Sequence, residues 1–270
     1  MTSVNVMELF RLDGKVGLVT GGSQNLGFDM ALAMAEAGAD VVITSRTLEN
    51  AEKSAEKIAQ LTGKTILPLK CDVKLEEQVE AMVDAAVKKF GKIDILVNNA
   101  GNVVSTPENA PFEKRSAELW QDTIDVNLTG LFFCSKHVVA KAMKPAKSGS
   151  IINICSTAGM VGKDRRVYEG TGMGGATLDY HAAKGGVLAM TKDMAAYLAP
   201  DGIRVNSISP GGFWRNQPEK FVQALCKIIP MGRMGQDGKE LKGPAVFLAS
   251  EASSYMTGAN VVVDGGLTVW

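Results

Sequence analysis

Short apolar runs alternate along the chain with longer stretches whose apolar positions recur every three or four residues. Val16–Thr20, Val41–Thr44, Thr65–Leu69, Ile93–Val97, Ser150–Ile154, Ile203–Ile208 and Asn260–Val263 are too short for helices and predict strands. The intervening stretches predict helices. These are Leu26–Ala37, ended by Gly38; a Glu/Lys/Ala-rich run to about Leu61; Glu76–Phe90, ended by Gly91; about 118–143, stopped near Pro145; Leu178–Leu198; and about 239–250. Short apolar strands separated by helices bury both faces of a parallel sheet. The predicted fold class is α/β, a doubly wound parallel sheet of about seven strands with helices on both faces. Nothing between residues 1 and 270 reads as a linker or a low-complexity tail, so one domain is expected. Its ligand belongs beyond the carboxyl ends of the strands, where the strand order reverses.

Composition narrows the function. Apolar residues make up 46% and charged residues 21%, and Lys plus Arg equals Asp plus Glu at 29 each. That balance gives no support for nucleic acid or an anionic membrane as partner. Residues 1–14 lack the basic start and apolar run of a secretory signal, and no uncharged stretch reaches membrane-spanning length. Cys71, Cys134, Cys155 and Cys226 lie far apart with no CxxC pair, and His137 and His181 have no partner in the sequence pattern. No metal is predicted, the histidines read as structural, and free thiols fit a reducing, cytoplasmic setting. The Glu/Lys runs of the second and third helices read as solvated faces.

Two stretches carry chemistry. Thr20-Gly21-Gly22-Ser23-Gln24-Asn25-Leu26-Gly27 joins the first strand to a helix N-terminus, an arrangement that cradles phosphate with free amides and the helix dipole. In Tyr180-His181-Ala182-Ala183-Lys184, the phenol and the ammonium stand four positions apart on one helix face. A cation there favours the phenolate and lowers its pKa from about 10, which suits proton transfer near neutral pH.

From roughly Leu12 to Gly266 the chain resembles the short-chain dehydrogenase/reductase family, a single-domain Rossmann-type fold. Its TGxxxGxG fingerprint matches the glycine turn, except that Asn25 replaces the middle glycine; Asn tolerates left-handed backbone angles better than most residues. Asp72, followed by Val73, matches the acid that meets adenine, and Asn98-Asn99-Ala100-Gly101 matches NNAG. Asn127, Ser156, Tyr180 and Lys184 match the catalytic tetrad. Pro210-Gly211, with Phe213 beyond, matches the PG beside the nicotinamide, and Asp264-Gly265-Gly266 the C-terminal signature. The overall look is nearest to gluconate 5-dehydrogenase-like and polyol dehydrogenase-like members. The resemblance implies hydride transfer between nicotinamide and a secondary alcohol or ketone of a small substrate. Tyr180 would be the acid/base, Lys184 would hold the ribose and lower the phenol pKa, Ser156 would bind the substrate oxygen, and Asn127 would support a relay water. It also implies a homotetramer and a substrate lid over 212–230, a segment whose pattern an aromatic-aliphatic helix packed on the core would share.

The coenzyme and substrate are less directly written. An acid after the second strand would accept from both ribose hydroxyls and repel a 2′-phosphate. The chain has Thr44-Ser45-Arg46 there; Arg46 offers a planar fork and Ser45 a further donor, which favours NADP(H). NAD(H) is the alternative, with Arg46 stacked on adenine; Gln24, where many NADP(H) members carry a basic residue, leans that way. Ser156 and Tyr180 stand 24 positions apart, farther than in the family pattern, and the added residues 162–175 carry Lys163, Arg165 and Arg166. Such a loop passes the active-site mouth, and its cations would meet an acidic substrate; otherwise it is a solvated loop or a subunit contact. The family's Thr after PG is missing, and Arg215 is a candidate to replace its phosphate contact. The leading reading is an oxidoreductase on a polyol, sugar acid or related carbonyl. A 3-oxoacyl-(acyl-carrier-protein) reductase would need a basic docking patch, for which Lys136, Lys141, Lys144 and Lys147 are candidates. A non-catalytic NAD(P)-sensing protein would not need the intact tetrad.

Overall fold

The computed structural model describes residues 4–103 and 112–270. Seven strands form one parallel sheet: β1 (Val16–Val19), β2 (Asp40–Ser45), β3 (Ile66–Lys70), β4 (Ile95–Asn98), β5 (Gly149–Ile154), β6 (Ile203–Pro210) and β7 (Asn260–Val263). Their order is β3-β2-β1-β4-β5-β6-β7, with all adjacent pairs parallel. The order reverses between β1 and β4, so the crevice for a ligand opens at their carboxyl ends.

The helices, in chain order, are α1 (Val6–Leu9), α2 (Asn25–Glu36), α3 (Leu48–Thr62), α4 (Glu76–Phe90), α5 (Ala117–Ile124), α6 (Gly130–Val138), α7 (Lys144–Ala146), α8 (Leu178–Leu198), α9 (Glu219–Ile228) and α10 (Lys242–Ala249). Successive strand side chains point to opposite faces. Thus Val19, Val41, Ile43, Ile95, Val97 and Ile152 join a core with α2 and α10, while Val16, Leu18, Val42, Leu96 and Ile151 join a second core with α4, α6 and α8. Both faces of the central strands are thus buried, which is why those strands read as continuous apolar runs.

The long helix expected over about 118–143 is not one regular helix. It shifts into wider π-type turns at Asp125–Thr129 and Val139–Met143, between α5, α6 and α7. Apolar periodicity does not distinguish these turns from α-helix, because they change the spacing by a single residue. The segment added before α8 is also more than a solvated loop. Its 3₁₀ turn, Arg165–Tyr168, buries Val167 and Tyr168 against Phe221, Leu225 and Ile229 of the α9 region.

Candidate active site

The glycine turn is shaped by backbone geometry. Gly21 has φ +62° and Asn25 has φ +50°, so Asn25 adopts the left-handed conformation that its side chain tolerates. A Cβ at Gly27 would collide with the Gly21 carbonyl and the Asn99 amide, so only glycine fits. Asn99 fastens this turn to the end of β4. Its Nδ2 donates to the carbonyls of Thr20 (2.9 Å) and Gly21 (3.1 Å), and its own N–H and that of Ala100 both donate to Thr20 Oγ1 at 3.0 Å. At the start of α2, Gln24 makes no side-chain capping bond. The amides of the first turn therefore remain for an anion, as a helix N-terminus requires. This cradle fits a dinucleotide pyrophosphate.

The catalytic candidates converge from three elements on one cavity of about 490 Å³, at the carboxyl ends of β1, β4, β5 and β6. Asn127 lies in the first π turn, fully buried; its Nδ2 donates to Thr123 O (3.0 Å) and to Asn102 O and Oδ1 (3.0 and 2.8 Å). Its Oδ1 is buried without a donor among the described residues. A buried oxygen of this kind ordinarily takes a hydrogen bond from ligand or water. Ser156 follows β5, and its Oγ accepts from the Ala158 N–H at 3.1 Å. Lys184 is buried, and its Nζ donates to Ile154 O at 2.8 Å and stands 5.6 Å from the Tyr180 ring centroid. Gly101 keeps this space open, since a Cβ there would come within 2.7 Å of Asn127 Oδ1.

Protonation differs from the sequence-based expectation. Burial pushes the Tyr180 phenol up to about 12, against the opposing pull of the Ser156 hydroxyl. Burial also lowers the Lys184 ammonium to about 8. Desolvation therefore outweighs the expected lowering of the phenol by the lysine. At neutral pH the phenol holds its proton and the lysine is mostly charged.

A buried polar chain behind the site was not legible in the sequence. Asn98 Nδ2 donates to Ser135 Oγ (3.0 Å) and Asn153 Oδ1 (2.9 Å), and Asn153 Nδ2 donates to Thr191 Oγ1 (2.9 Å), tying α6, β4, β5 and α8 together. Asp179, beside Tyr180, is fully buried and accepts from Arg115 Nη2 at 2.6 Å. Burial alone would raise its carboxyl, but the hydroxyls of Thr123 and Thr177 and the Arg115 guanidinium hold it below the usual range. The only hint in sequence was an acid in the first turn of α8.

Gly21, Gln24, Asn25, Leu26, Gly27, Asn99, Ala100, Gly101, Pro210, Gly211 and Phe213 line the same cavity. Ser23, Ser45, Arg46, Asp72 and Val73 do not line it. Arg46 is exposed just past β2, whereas Val73 is buried, with Gly130 closely packed on it. Arg215 lines the cavity but is held by Asp237 through two bonds of 2.7 and 2.9 Å, so its charge is already matched. Lys163, Tyr168, Met173, Phe221, Leu225 and Met234 complete the wall. The candidate docking lysines are paired: Lys136 with Glu76, Lys141 with Glu80 and Asp84, and Lys144 and Lys147 with Asp201. His137 joins Glu76 at 3.0 Å, and His181 Nδ1 lies 2.8 Å from Thr177 O. No group able to hold a metal ion occurs among the described residues.

A family model described as enoyl-(acyl carrier protein) reductase matches residues 21–268. The chain belongs to the short-chain dehydrogenase/reductase family, NAD(P)-dependent oxidoreductases that act on CH–OH groups. It is 37% identical over 268 residues to the 5-keto-D-gluconate 5-reductase of Escherichia coli K12, spanning 97% of this chain and 98% of that one. It is 36% identical over 263 residues to the 3-oxoacyl-(acyl-carrier-protein) reductase FabG of Thermotoga maritima, spanning 96% and 100% of the two chains. A crystal structure of a gluconate 5-dehydrogenase from Burkholderia cenocepacia J2315 in complex with NADP and tartrate has a TM-score of 0.88 at 36% identity, covering 98% of this chain and 100% of that one. The protein is thus an oxidoreductase that interconverts an alcohol and a ketone with a nicotinamide dinucleotide. No described helix is long and apolar enough to cross a membrane.

Proposed function

We propose that the protein uses NADP(H) to interconvert a secondary alcohol and a ketone on a polyol, sugar acid or related small carbonyl compound. The observation that carries this reading is the convergence of Asn127, Ser156, Tyr180 and Lys184 on one cavity beside the glycine turn. The bound nicotinamide supplies or accepts the hydride. Ser156 Oγ holds the substrate oxygen within reach of the phenol, and Tyr180 gives it a proton in reduction or takes one in oxidation. A phenol that keeps its proton at neutral pH is set for the donor role. Lys184, anchored on the Ile154 carbonyl, orients the coenzyme ribose, and Asn127 holds a relay water through its Oδ1. The glycine-turn residues Gly21, Ser23, Gln24, Asn25, Leu26 and Gly27 hold the pyrophosphate, and Asp72 and Val73 the adenine. Asn99, Ala100, Gly101, Pro210, Gly211 and Phe213 form the remaining coenzyme wall.

NADP(H) is supported by Ser45 and the exposed Arg46, which has no ion-pair partner among the described residues, and by the NADP in complex with the B. cenocepacia gluconate 5-dehydrogenase. A polyol or sugar acid is favoured over an acyl-carrier substrate because the four lysines that would dock a carrier are matched by carboxylates. Residues 212–230 act as the substrate lid, the chain is one domain over 1–270, and the working form is a cytoplasmic homotetramer. The direct test follows NADPH and NADH absorbance over alditols, aldonates, keto-sugars and acetoacetyl thioesters. Turnover confined to the thioesters, or none at all, would refute the substrate class.

A further inference from the structure

The segment between Ser156 and Tyr180 brings one unmatched ammonium into the catalytic cavity. Of its three cations, Arg166 is held by Asp164 in two bonds of 2.9 and 2.7 Å, and Arg165 is exposed. Lys163 alone lines the cavity that also holds Ser156 and Tyr180. Its Nζ stands 5.0 Å over the Tyr168 ring centroid and meets no carboxylate within ion-pair distance among the described residues. No Asp or Glu lines the cavity among those residues. The other cavity cations are already committed, Lys184 to the Ile154 carbonyl and Arg215 to Asp237.

The platform under Lys163 is built. The Tyr168 ring lies 5.1 Å from that of Phe221, and Thr171 Oγ1 donates to the Tyr168 carbonyl at 2.6 Å. Gly175, at φ +74°, makes room for the ring, since a Cβ there would come within 2.6 Å of its Cζ. An ammonium partly withdrawn from water and lacking a counter-charge is unfavourable until an anion reaches it. Burial, with Arg165 adding to it, lowers Lys163 to about 8, as that imbalance requires.

We propose that Lys163 recognises a carboxylate on the substrate, so that the enzyme selects a polyhydroxy acid over the neutral polyol of the same carbon skeleton. This rests on the oxidoreductase reading and names the substrate class within it. One ammonium against Met173, Phe221 and Leu225 matches a singly charged carboxylate; a phosphate monoester would leave a charge unmatched on an apolar wall.

The test uses the full-length protein with NADP⁺ or NAD⁺ and a set of aldonates and their alditols, D-gluconate and D-glucitol among them. The quantity read is the aldonate-to-alditol ratio of kcat/KM. In Lys163→Met it is expected to fall roughly 10- to 100-fold, chiefly through the aldonate KM, which is what losing a charge-assisted hydrogen bond costs. Lys163→Arg is expected to hold the ratio within about threefold of wild type, since the charge is kept. Calorimetric titration of D-gluconate into the NADP⁺-loaded protein is expected to show binding that Lys163→Met weakens. A ratio unmoved in Lys163→Met overturns the proposal. Turnover of alditols alone overturns it too while leaving the oxidoreductase reading intact. Turnover of neither class removes both the proposed substrate class and this refinement of it.

Discussion

Tyr180 and Lys184 share a helix face, but their surroundings decide what each can do with a proton. The partly buried phenol keeps its proton, which is the state needed to protonate a nascent alkoxide. Tyr180→Phe is therefore expected to lower kcat by about 10²- to 10⁴-fold while NADP(H) affinity, measured by fluorescence titration, stays within a few-fold. Retained turnover would reassign the acid/base. Arg46 belongs at the same scale. If its guanidinium meets a 2′-phosphate, Arg46→Ala raises the KM for NADPH by roughly tenfold and leaves that for NADH nearly unchanged. Equal effects on both coenzymes would mean that Arg46 stacks on adenine. At Gly27, Ala would press on Gly21 and Asn99, and the expected result is weaker binding of both coenzymes.

Among the elements, the start of α8 matters most, because it carries Tyr180 and Lys184. It is pinned to the residue just before α5 by the Arg115–Asp179 pair, with both partners nearly out of solvent, and Arg115 in turn donates to Leu119 O and Thr123 Oγ1 of α5. Removing one member of a buried pair strands the other, so Asp179→Asn is expected to destabilise the protein by about 3 kcal/mol in urea unfolding at pH 7. The sign with pH follows from the depressed carboxyl. Its stabilising contribution is present above the unfolded-state pKa of about 3.9 and is lost as pH falls through the lower folded value. Wild type should thus lose this increment below about pH 4, and the variant should lack that part of the acid dependence. Periodicity located α8, and placed the start of α5 at the head of a longer helix that the structure breaks up. It could not reveal the π turn that aims Asn127, nor the pairing of Arg115 with Asp179 across 64 positions. Both depend on contacts between elements.

For the whole molecule, seven parallel strands place the glycine turn, the end of β5 and the start of α8 around a single crevice. A larger hollow of about 690 Å³ lies at the amino ends of β4, β5 and β6, lined by Lys15, Asp94 and Arg204, and none of the tetrad reaches it. Leu119, Trp120 and Phe132 on α5 and α6, and Val262 and Trp270 at the C-terminal end, expose apolar surface. The homotetramer that the family resemblance implies would bury such surface, and sedimentation at micromolar concentration is then expected to give four times the chain mass of 28.6 kDa. A monomer at that concentration would rule out the tetramer.

The sequence by itself determined the alternation of strands and helices, the sheet class and the glycine turn, while the family resemblance supplied the four polar residues proposed as the tetrad. The former are local: a run of Val and Ile, a glycine-rich turn between a strand and a helix, a spacing of four on a helix. Tertiary structure alone decided that burial sets the proton on Tyr180, that Asp237 and Asp201 neutralise cations which looked free, and that of the three cations in its segment only Lys163 lines the cavity. Charge and protonation depend on which groups are brought together and how much water is left between them, and a linear pattern does not specify either.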